Sequence, residues 1–176
     1  MRSTIETARL SLCPLTVDVI DALLTDNAEA FHKATGGTYP PGSPIPPLME
    51  DAFPYIRSWI LEHREDDAWS WVGIDRDRGE AVVFGGLGLG LDDRGVATMG
   101  YSVYPRDEGR QYASEFAKAL VEWVFREVAD CVAVEATIPP GHGASIRVAE
   151  KCGMAAVGTA TDPEVGEVLV YRLDRA

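Results

Sequence analysis

Three short apolar segments joined by charged turns, and then one long amphipathic segment, limit most strongly what this chain can fold into. The apolar segments lie at residues 69–75, 80–91 and 95–105, and the turns between them read DRDRG and DDRG. Connections of that length join antiparallel strands. Between residues 109 and 128 apolar residues recur at helical spacing, which predicts a long helix with one buried face. Antiparallel strands that lead into such a helix indicate a mixed α/β chain of the α+β class.

The rest of the chain alternates between the same two kinds of segment. Period-two alternation predicts a strand over residues 7–12, and a helical pattern opened by Thr16 and Asp18 runs to about residue 30. A second helix is predicted over residues 48–64. Behind the long helix, the patterns predict a strand at 131–138, a short helix at 144–152 and two closing strands at 154–160 and 167–173. These patterns predict seven strands and about four helices in a single domain covering residues 1–176.

Residues 35–47 hold five of the chain's eleven prolines. Proline fixes φ and has no backbone N–H, so this segment is neither a helix nor a central strand. Loops of this length are more often functional than plain connections, and we expect a lid or the wall of a cleft. The composition would equally suit an inert loop.

The charge of the chain narrows its range of partners. Twenty-eight acidic and sixteen basic residues give a formal net charge of −12. A nucleic-acid-binding surface needs a basic footprint, so we expect no nucleic acid partner. An acidic surface attracts cationic small molecules or basic peptide ends, although it can also serve solubility alone.

Cysteine usage and hydropathy bear on the compartment. Three cysteines, an odd number without metal-ligand spacing, predict neither a disulfide framework nor a metal site. The first residues lack the apolar core of a secretory signal, and no apolar run approaches the roughly 18 residues of a membrane span. We therefore expect a cytoplasmic protein with no membrane partner.

A glycine cluster at residues 85–90 invites comparison with a dinucleotide-binding loop. Such a loop must leave a strand and open directly into a helix, whereas this cluster runs into a turn and another strand. We therefore expect these glycines to mark a bulge or a close approach of two backbones.

The junction between the third apolar segment and the long helix is a candidate anion site. A strand that ends at a proline is followed by a polar loop containing Gly109, and free N–H groups at a helix start attract anions. The positive charges of Arg106 and Arg110 are cancelled by Asp107 and Glu108. These residues alone fit an ordinary strand-to-helix connection equally well.

A second candidate lies at the start of the late short helix, where the chain reads PPGHGASIRVAEKCGM. Ser145 stands in the first turn, where a serine usually caps the helix, and His142 can simply fill the preceding turn. The absence of a GxSxG motif argues against a serine hydrolase.

Taken in order, these segments resemble the GNAT superfamily of acyl-CoA-dependent N-acetyltransferases. IETARLSLCPL looks like the first strand of the branch of ribosomal-protein-alanine N-acetyltransferases, with Glu-Thr before Arg-Leu and a later Pro-Leu. MGYSVYPRDEGRQYASEFAKAL aligns without gaps on the central strand, pyrophosphate loop and long helix of the family. HGASIRVAEKCGM aligns on its late Asn-x-x-Ser segment followed by Glu-Lys-x-Gly. The resemblance spans residues 5–174.

The resemblance implies a seven-stranded, mostly antiparallel sheet that is splayed between its fourth and fifth strands, with acetyl-CoA in the gap. The three histidines, without an HxxxH or CxxC pattern, predict no metal site. The thioester and pantetheine would pair with backbone groups, the pyrophosphate would rest on amides of the loop, and two late residues would approach the sulfur. The implied thioester and pantetheine contacts are the backbone groups of Ser102, Val103 and Tyr104. The implied pyrophosphate contacts are the amides of Glu108, Gly109, Arg110, Gln111, Tyr112 and Ala113. The two late residues near the sulfur are His142 and Ser145.

Three residues depart from the family pattern. Glu108 stands where the family has Arg or Gln, Gln111 stands at a small-residue position, and His142 replaces an Asn. A like charge a few ångströms from a phosphate costs on the order of 1 to 4 kcal/mol, depending on the local dielectric. The resemblance therefore allows altered binding of CoA.

The resemblance implies an acyltransferase in which a primary amine attacks the thioester directly in a ternary complex. Ser145 would protonate the departing thiolate, while His142 would act either as the base or as a cofactor contact. Phe31, His32 and Tyr39 would line the amine cleft. The alternative is a catalytically weak or inactive acyl-CoA sensor or protein-binding module on the same fold. The branch also implies a homodimer.

Overall fold

The computed structural model describes residues 3–47, 49–63, 65 and 69–176. Its five α-helices are α1 (Val17–Leu24), α2 (Ala28–Thr35), α3 (Ala52–His63), α4 (Tyr112–Glu127) and α5 (Gly143–Lys151). Its nine strands are β1 (Ile5–Glu6), β2 (Leu10–Pro14), β3 (Ser70–Asp75), β4 (Glu80–Gly86), β5 (Val96–Thr98), β6 (Gly100–Val103), β7 (Ala133–Ile138), β8 (Ala155–Asp162) and β9 (Gly166–Asp174).

The strands form two sheets that share one segment of chain. Five strands lie in the antiparallel order β1-β2-β3-β4-β6, and four lie in the order β5-β7-β9-β8, where only β5 and β7 run parallel. β5 and β6 are separated by Met99 alone, whose N–H donates to the Glu135 carbonyl at 2.7 Å. Beyond Met99 the chain leaves β7 and pairs with β4. The expected splay between the fourth and fifth predicted strands is therefore confirmed, as is the α+β class.

The strand and helix counts differ from the prediction for local reasons. The short β1 precedes the first predicted strand, and the fourth predicted strand is divided at Met99. The first predicted helix is capped by Thr16 as expected, but it is interrupted where Asp26 adopts a φ of +49°. The Asn27 side chain then accepts a hydrogen bond from the Ala30 N–H at 3.0 Å and starts α2.

The second predicted helix corresponds to α3. It begins at Ala52 and ends at His63 among the described residues. Leu48 and Arg64, the two ends of the prediction, lie outside the residues that the structure describes.

In the glycine cluster at residues 85–90, the first glycine lies close to the backbone of β6, and later glycines turn the chain out of β4. β4 ends at Gly86, earlier than the predicted residue 91, because Gly88 and Gly90 have φ values of +69° and +126° that turn the chain out of the strand. A Cβ on Gly85 would lie 2.3 Å from the carbonyl oxygen of Gly100 on β6. The expected close approach of two backbones is thus confirmed, and it lies beside the splay.

Two apolar clusters cover the five-stranded sheet. On one face, α4 packs against both sheets, and Phe116 and Leu120 contact a cluster that includes Trp71 and Val134. On the other face, α1 to α3 cover β3 and β4. No helix within the described ranges is long and apolar enough to cross a membrane.

Candidate active site

Among the strands that the structure describes, none pairs with the edge of β6 that faces the splay. The Tyr104 N–H donates to the Val82 carbonyl at 3.3 Å, and Ser102 lies opposite Phe84 on β4. Because backbone groups alternate in direction along an antiparallel strand, Tyr101 and Val103 direct theirs away from β4 and into the gap. Of the three backbone contacts predicted here, Val103 therefore faces the gap, while Ser102 and Tyr104 face β4.

A cavity of about 580 Å³ lies beside this edge, between the start of α4 and one face of α5. The predicted site residues that line it are Ser102, Val103, Glu108, Gly109, Gln111, Tyr112, Ala113, His142 and Ser145. Tyr104 and Arg110 do not line it. The Tyr104 side chain is buried, and the Arg110 side chain turns toward Asp107, with 3.8 Å between Nη1 and Oδ1.

The N-terminus of α4 opens into this cavity without a side-chain cap. Gln111 occupies the cap position with a φ of +67°, and its side chain makes no capping hydrogen bond. The first helical hydrogen bond runs from the Glu115 N–H to the Gln111 carbonyl at 3.1 Å, so the amides of residues 112–114 precede the helical ladder. A Cβ on Gly109 would meet nothing within 4 Å. This opening fits a phosphate-bearing group.

The acidic and basic side chains of the loop form ion pairs that also include Arg78, a partner from outside the loop. Asp107 is 1% exposed, and its Oδ1 accepts a hydrogen bond from Arg78 Nη1 at 2.6 Å. Arg106 also approaches Asp107, with 3.4 Å between Nε and Oδ2. The hydrogen bonds to Asp107, first, and to Glu80 raise the pKa of the Arg78 guanidinium. Asp107 also lines the cavity, but its buried carboxylate is paired with the guanidinium groups of Arg78 and Arg106.

Contacts from the β3–β4 turn and from β2 fix the loop. The Tyr112 hydroxyl donates to Asp75, whose other oxygen accepts from the Asp77 and Arg78 N–H groups at 3.0 and 2.9 Å. Burial raises the pKa of Asp75, but these hydrogen bonds outweigh burial and leave the pKa below its ordinary value. On the other side, Arg9 Nη1 donates to the Arg110 carbonyl at 3.1 Å.

The proline-rich loop forms a wall of the cavity. Pro47 lines the cavity, and its carbonyl accepts a hydrogen bond from Ser102 Oγ at 2.5 Å. The Tyr104 hydroxyl donates to the Pro44 carbonyl at 2.7 Å, and burial raises the pKa of this phenol. Of the two expectations for this loop, a lid or cleft wall and an inert loop, the position of Pro47 on the cavity supports the cleft wall.

Ser145 and His142 lie together where the cavity meets α5. His142 Nδ1 accepts a hydrogen bond from the Ser145 N–H at 3.4 Å, so the imidazole caps the helix and, when neutral, carries its hydrogen on Nε2. Tyr101, which the sequence analysis missed, also lines the cavity. Burial raises the pKa of its phenol, and a hydrogen bond with Ser145 opposes that effect. Tyr101 could have been found by alternation, two residues before Val103 on the same strand edge.

The structure does not bring the three predicted amine-cleft residues to the cavity. Phe31 is fully buried and packs edge-on against Tyr39, with 5.1 Å between the ring centroids. The Tyr39 hydroxyl donates to Asp26 at 3.0 Å. His32 is exposed, and its Nδ1 lies 3.2 Å from the Gly37 carbonyl. Phe31 and Tyr39 are core residues because α2 packs into the cluster on the far face of the sheet.

Other cavity residues come from α5. Arg147 and Lys151 line the cavity wall that faces α4 and add two positive charges that the loop itself lacks. A helical wheel of α5 places positions 144, 148 and 151 on one face, but nothing in the sequence shows that this face meets α4. Among the described residues, no cluster of three or more His, Cys, Asp or Glu side chains could hold a metal ion.

Comparison with known proteins agrees with this geometry. The profile of the acetyltransferase (GNAT) domain matches residues 9–155, and the chain belongs to this family of acetyl-CoA-binding acetyltransferases. An uncharacterised protein of Bacillus subtilis (strain 168), YkkB, is 37% identical over 105 residues, which make up 56% of this chain and 59% of that relative. The chain thus matches a little over half of that relative's length.

Solved structures show the same fold at low sequence identity. A ribosomal-protein-S5-alanine acetyltransferase from Vibrio fischeri has a TM-score of 0.70 and 11% identity, with 98% of this chain and 97% of that chain covered. The ribosomal-protein acetyltransferase RimL in complex with coenzyme A has a TM-score of 0.67 and 15% identity, with 98% of each chain covered. The structural neighbours thus include ribosomal-protein acetyltransferases.

Proposed function

We propose that this chain is an N-acetyltransferase that moves an acetyl group from acetyl-CoA to a primary amine, and that residues 1–176 form one catalytic domain. One observation carries the proposal: a single cavity joins the unpaired edge of β6, the uncapped start of α4 and Ser145. The cavity therefore offers an extended backbone, an anion site and a hydroxyl donor. An acyl-CoA thioester needs all three.

Each part of the cavity has a separate role in holding the cofactor. The Val103 carbonyl and the backbone groups of Tyr101 would bind the pantetheine amides, since they point into the gap. The amides of residues 109–113 would bind the pyrophosphate at the positive end of α4. Glu108, Gln111 and His142, which depart from the family pattern, all stand on this cavity.

Acetyl-CoA supplies an activated acetyl group, whose carbonyl carbon an uncharged amine attacks directly. The Val103 N–H is a donor available to stabilise the carbonyl oxygen as it gains charge. As the C–N bond forms and the C–S bond breaks, the amine would release a proton to a base or a water chain. The Ser145 hydroxyl would donate a proton, or a hydrogen bond, to the departing sulfur and would regain any donated proton from the same chain. His142 uses Nδ1 to cap α5, so we assign it to cofactor contact and helix capping rather than to the base.

The acceptor is proposed to be a peptide or protein N-terminus or a small amine. A chain with a net charge of −12 attracts cationic acceptors of both kinds. All three cysteines are free, as in a reducing compartment, and we place the protein in the cytoplasm.

Binding of the cofactor should be visible as thermal stabilisation. Acetyl-CoA or CoA at a hundredfold excess over its Kd should stabilise the native state by about 2.7 kcal/mol. For 176 residues this corresponds to a rise in the unfolding midpoint of roughly 6 to 10 °C, measured by calorimetry at low and moderate salt. An unchanged midpoint at millimolar CoA would contradict the proposal.

A panel of amines then separates the enzyme from the sensor. Stabilisation by CoA together with transfer of acetyl to any amine supports the enzyme. Stabilisation without transfer across peptides, polyamines and small amines would instead favour the acyl-CoA sensor, for which Glu108 beside the anion site is the motivating observation.

We also propose a homodimer through the outer edge of β8. Residues 155–161 are exposed and uncharged in a strongly acidic chain, and β8 pairs only with β9 among the described strands. An antiparallel pair of β8 strands is self-complementary under a twofold axis. Val157→Lys, at a side chain 58% exposed, should convert a dimer into a monomer in sedimentation equilibrium. A monomeric wild-type protein at high concentration would refute this assembly.

A further inference from the structure

The anion site at the start of α4 carries one acidic group of its own. Glu108 is exposed and lines the cavity next to the uncapped helix start. A carboxylate beside a pyrophosphate raises the free energy of the bound state unless a cation lies between or beside them. Arg106 and Arg110 turn toward Asp107, at 3.4 and 3.8 Å. The compensating charge must then come from another element.

Lys151, at the C-terminal end of α5, is that charge. Its Nζ donates to Gln111 Oε1 at 3.1 Å, which holds the ammonium at the cap position of α4. One donated hydrogen bond leaves two of the three ammonium N–H groups for an anion. Arg147 lines the same cavity, but its Nη1 is 3.3 Å from where a Cβ on Gly143 would stand, at the opposite end of α5 from Lys151.

Helix α5 connects Ser145 with the start of α4, where Lys151 contacts Gln111. Ser145 and Lys151 are six residues apart, or about 9 Å along the helix axis. The helix therefore runs from the residue assigned to the thioester toward the start of α4, and both residues line the same cavity.

We propose that Lys151 binds the pyrophosphate of the cofactor and that Gln111 positions it, so that α5 supplies the cation that the loop lacks. This inference rests on the proposed function. Gln111 is thus a positioning residue: its left-handed backbone places the side-chain amide across the mouth of the site, where it meets Lys151.

The test is calorimetric titration of the wild-type protein and the Lys151→Gln variant with CoA and with 3′-dephospho-CoA at fixed salt. Loss of a charge-assisted hydrogen bond predicts about 10- to 100-fold weaker binding of both ligands by Lys151→Gln. Lys33→Gln removes the same charge from the exposed face of α2 and should change the affinity less than about twofold.

The role of Gln111 is tested by a double-mutant cycle. Glycine suits the left-handed φ of position 111, so Gln111→Gly keeps the backbone while it releases Lys151. In that background the loss caused by Lys151→Gln should be smaller by ~3-fold or more. Equal losses in both backgrounds would overturn the positioning role.

The titrations distinguish a failure of the proposed function from a failure of the role proposed for Lys151. Wild-type protein that binds neither ligand would overturn the proposed function itself. Wild-type binding that Lys151→Gln leaves unchanged would overturn this inference alone. A loss seen with CoA but absent with 3′-dephospho-CoA would assign Lys151 to the 3′-phosphate and would also overturn it.

Discussion

Ser145→Ala is expected to lower acetyl transfer by roughly ten- to ten-thousandfold, the range for loss of general acid–base assistance. The hydroxyl is the donor assigned to the departing sulfur. The substitution leaves α5 intact, because His142 accepts its hydrogen bond from the backbone N–H of residue 145 and not from the hydroxyl. Steady-state rates with a reactive amine measure the effect.

Two measurements isolate the chemical step. The affinity for CoA should be nearly unchanged in Ser145→Ala, because the serine hydroxyl is assigned to the departing sulfur alone, and the other proposed cofactor contacts, which are backbone groups, His142 and Lys151, are retained. Ser58→Ala, at an exposed position on α3, serves as the matched control and should turn over like the wild-type protein. Wild-type turnover in Ser145→Ala would remove the hydroxyl from the mechanism.

Gly85→Ala is expected to have the largest effect on stability. The added Cβ would lie 2.3 Å from the Gly100 carbonyl oxygen and 2.8 Å from the Tyr101 Cα, and both are backbone atoms of β6. Because backbone cannot rotate away as a side chain can, the strand pair must move apart, at a cost of ~3 kcal/mol. The unfolding midpoint should fall by roughly 6 to 12 °C in calorimetry.

The partner strand supplies the control. A Cβ on Gly100 would meet nothing within 4 Å, so Gly100→Ala should unfold within a few degrees of the wild-type protein. If Gly85→Ala matched Gly100→Ala in stability, the close approach between β4 and β6 would not be a constraint on the fold. CoA should also stabilise Gly85→Ala less, since β6 forms the edge of the cavity.

The sequence was most informative where a pattern is local. The period-two segments and the long amphipathic helix predicted the elements that build the sheets and α4. The strand–loop–helix junction marked a candidate anion site at the start of α4, although its residues fitted an ordinary connection equally well. The break between α1 and α2 was missed because it depends on Asp26 adopting a positive φ, a conformation that its neighbours in the fold select.

Contacts between residues that are far apart in the chain could not be predicted from local sequence patterns. Asp107 was counted as cancelling a positive charge of the loop, but the turn at residues 105–107 buries it against Arg78, which is 29 residues away in sequence. Lys151 and Gln111 are 40 residues apart, and only the packing of α5 on α4 brings them together. Phe31 and Tyr39 carry aromatic rings that suit a cleft, yet the packing of α2 puts them in the core.

The segment shared by the two sheets also determines the shape of the gap. The hydrogen bond from Met99 to Glu135 closes one end, and the strands separate from there onward, so the opening is a wedge with its apex at Met99. A wedge selects by thickness: a slender chain can slide toward the apex, whereas a bulky ring system stays at the mouth. The width available to an acyl donor thus increases along β6 with distance from Met99. The thinnest part of such a ligand is therefore the part that can lie deepest in the gap.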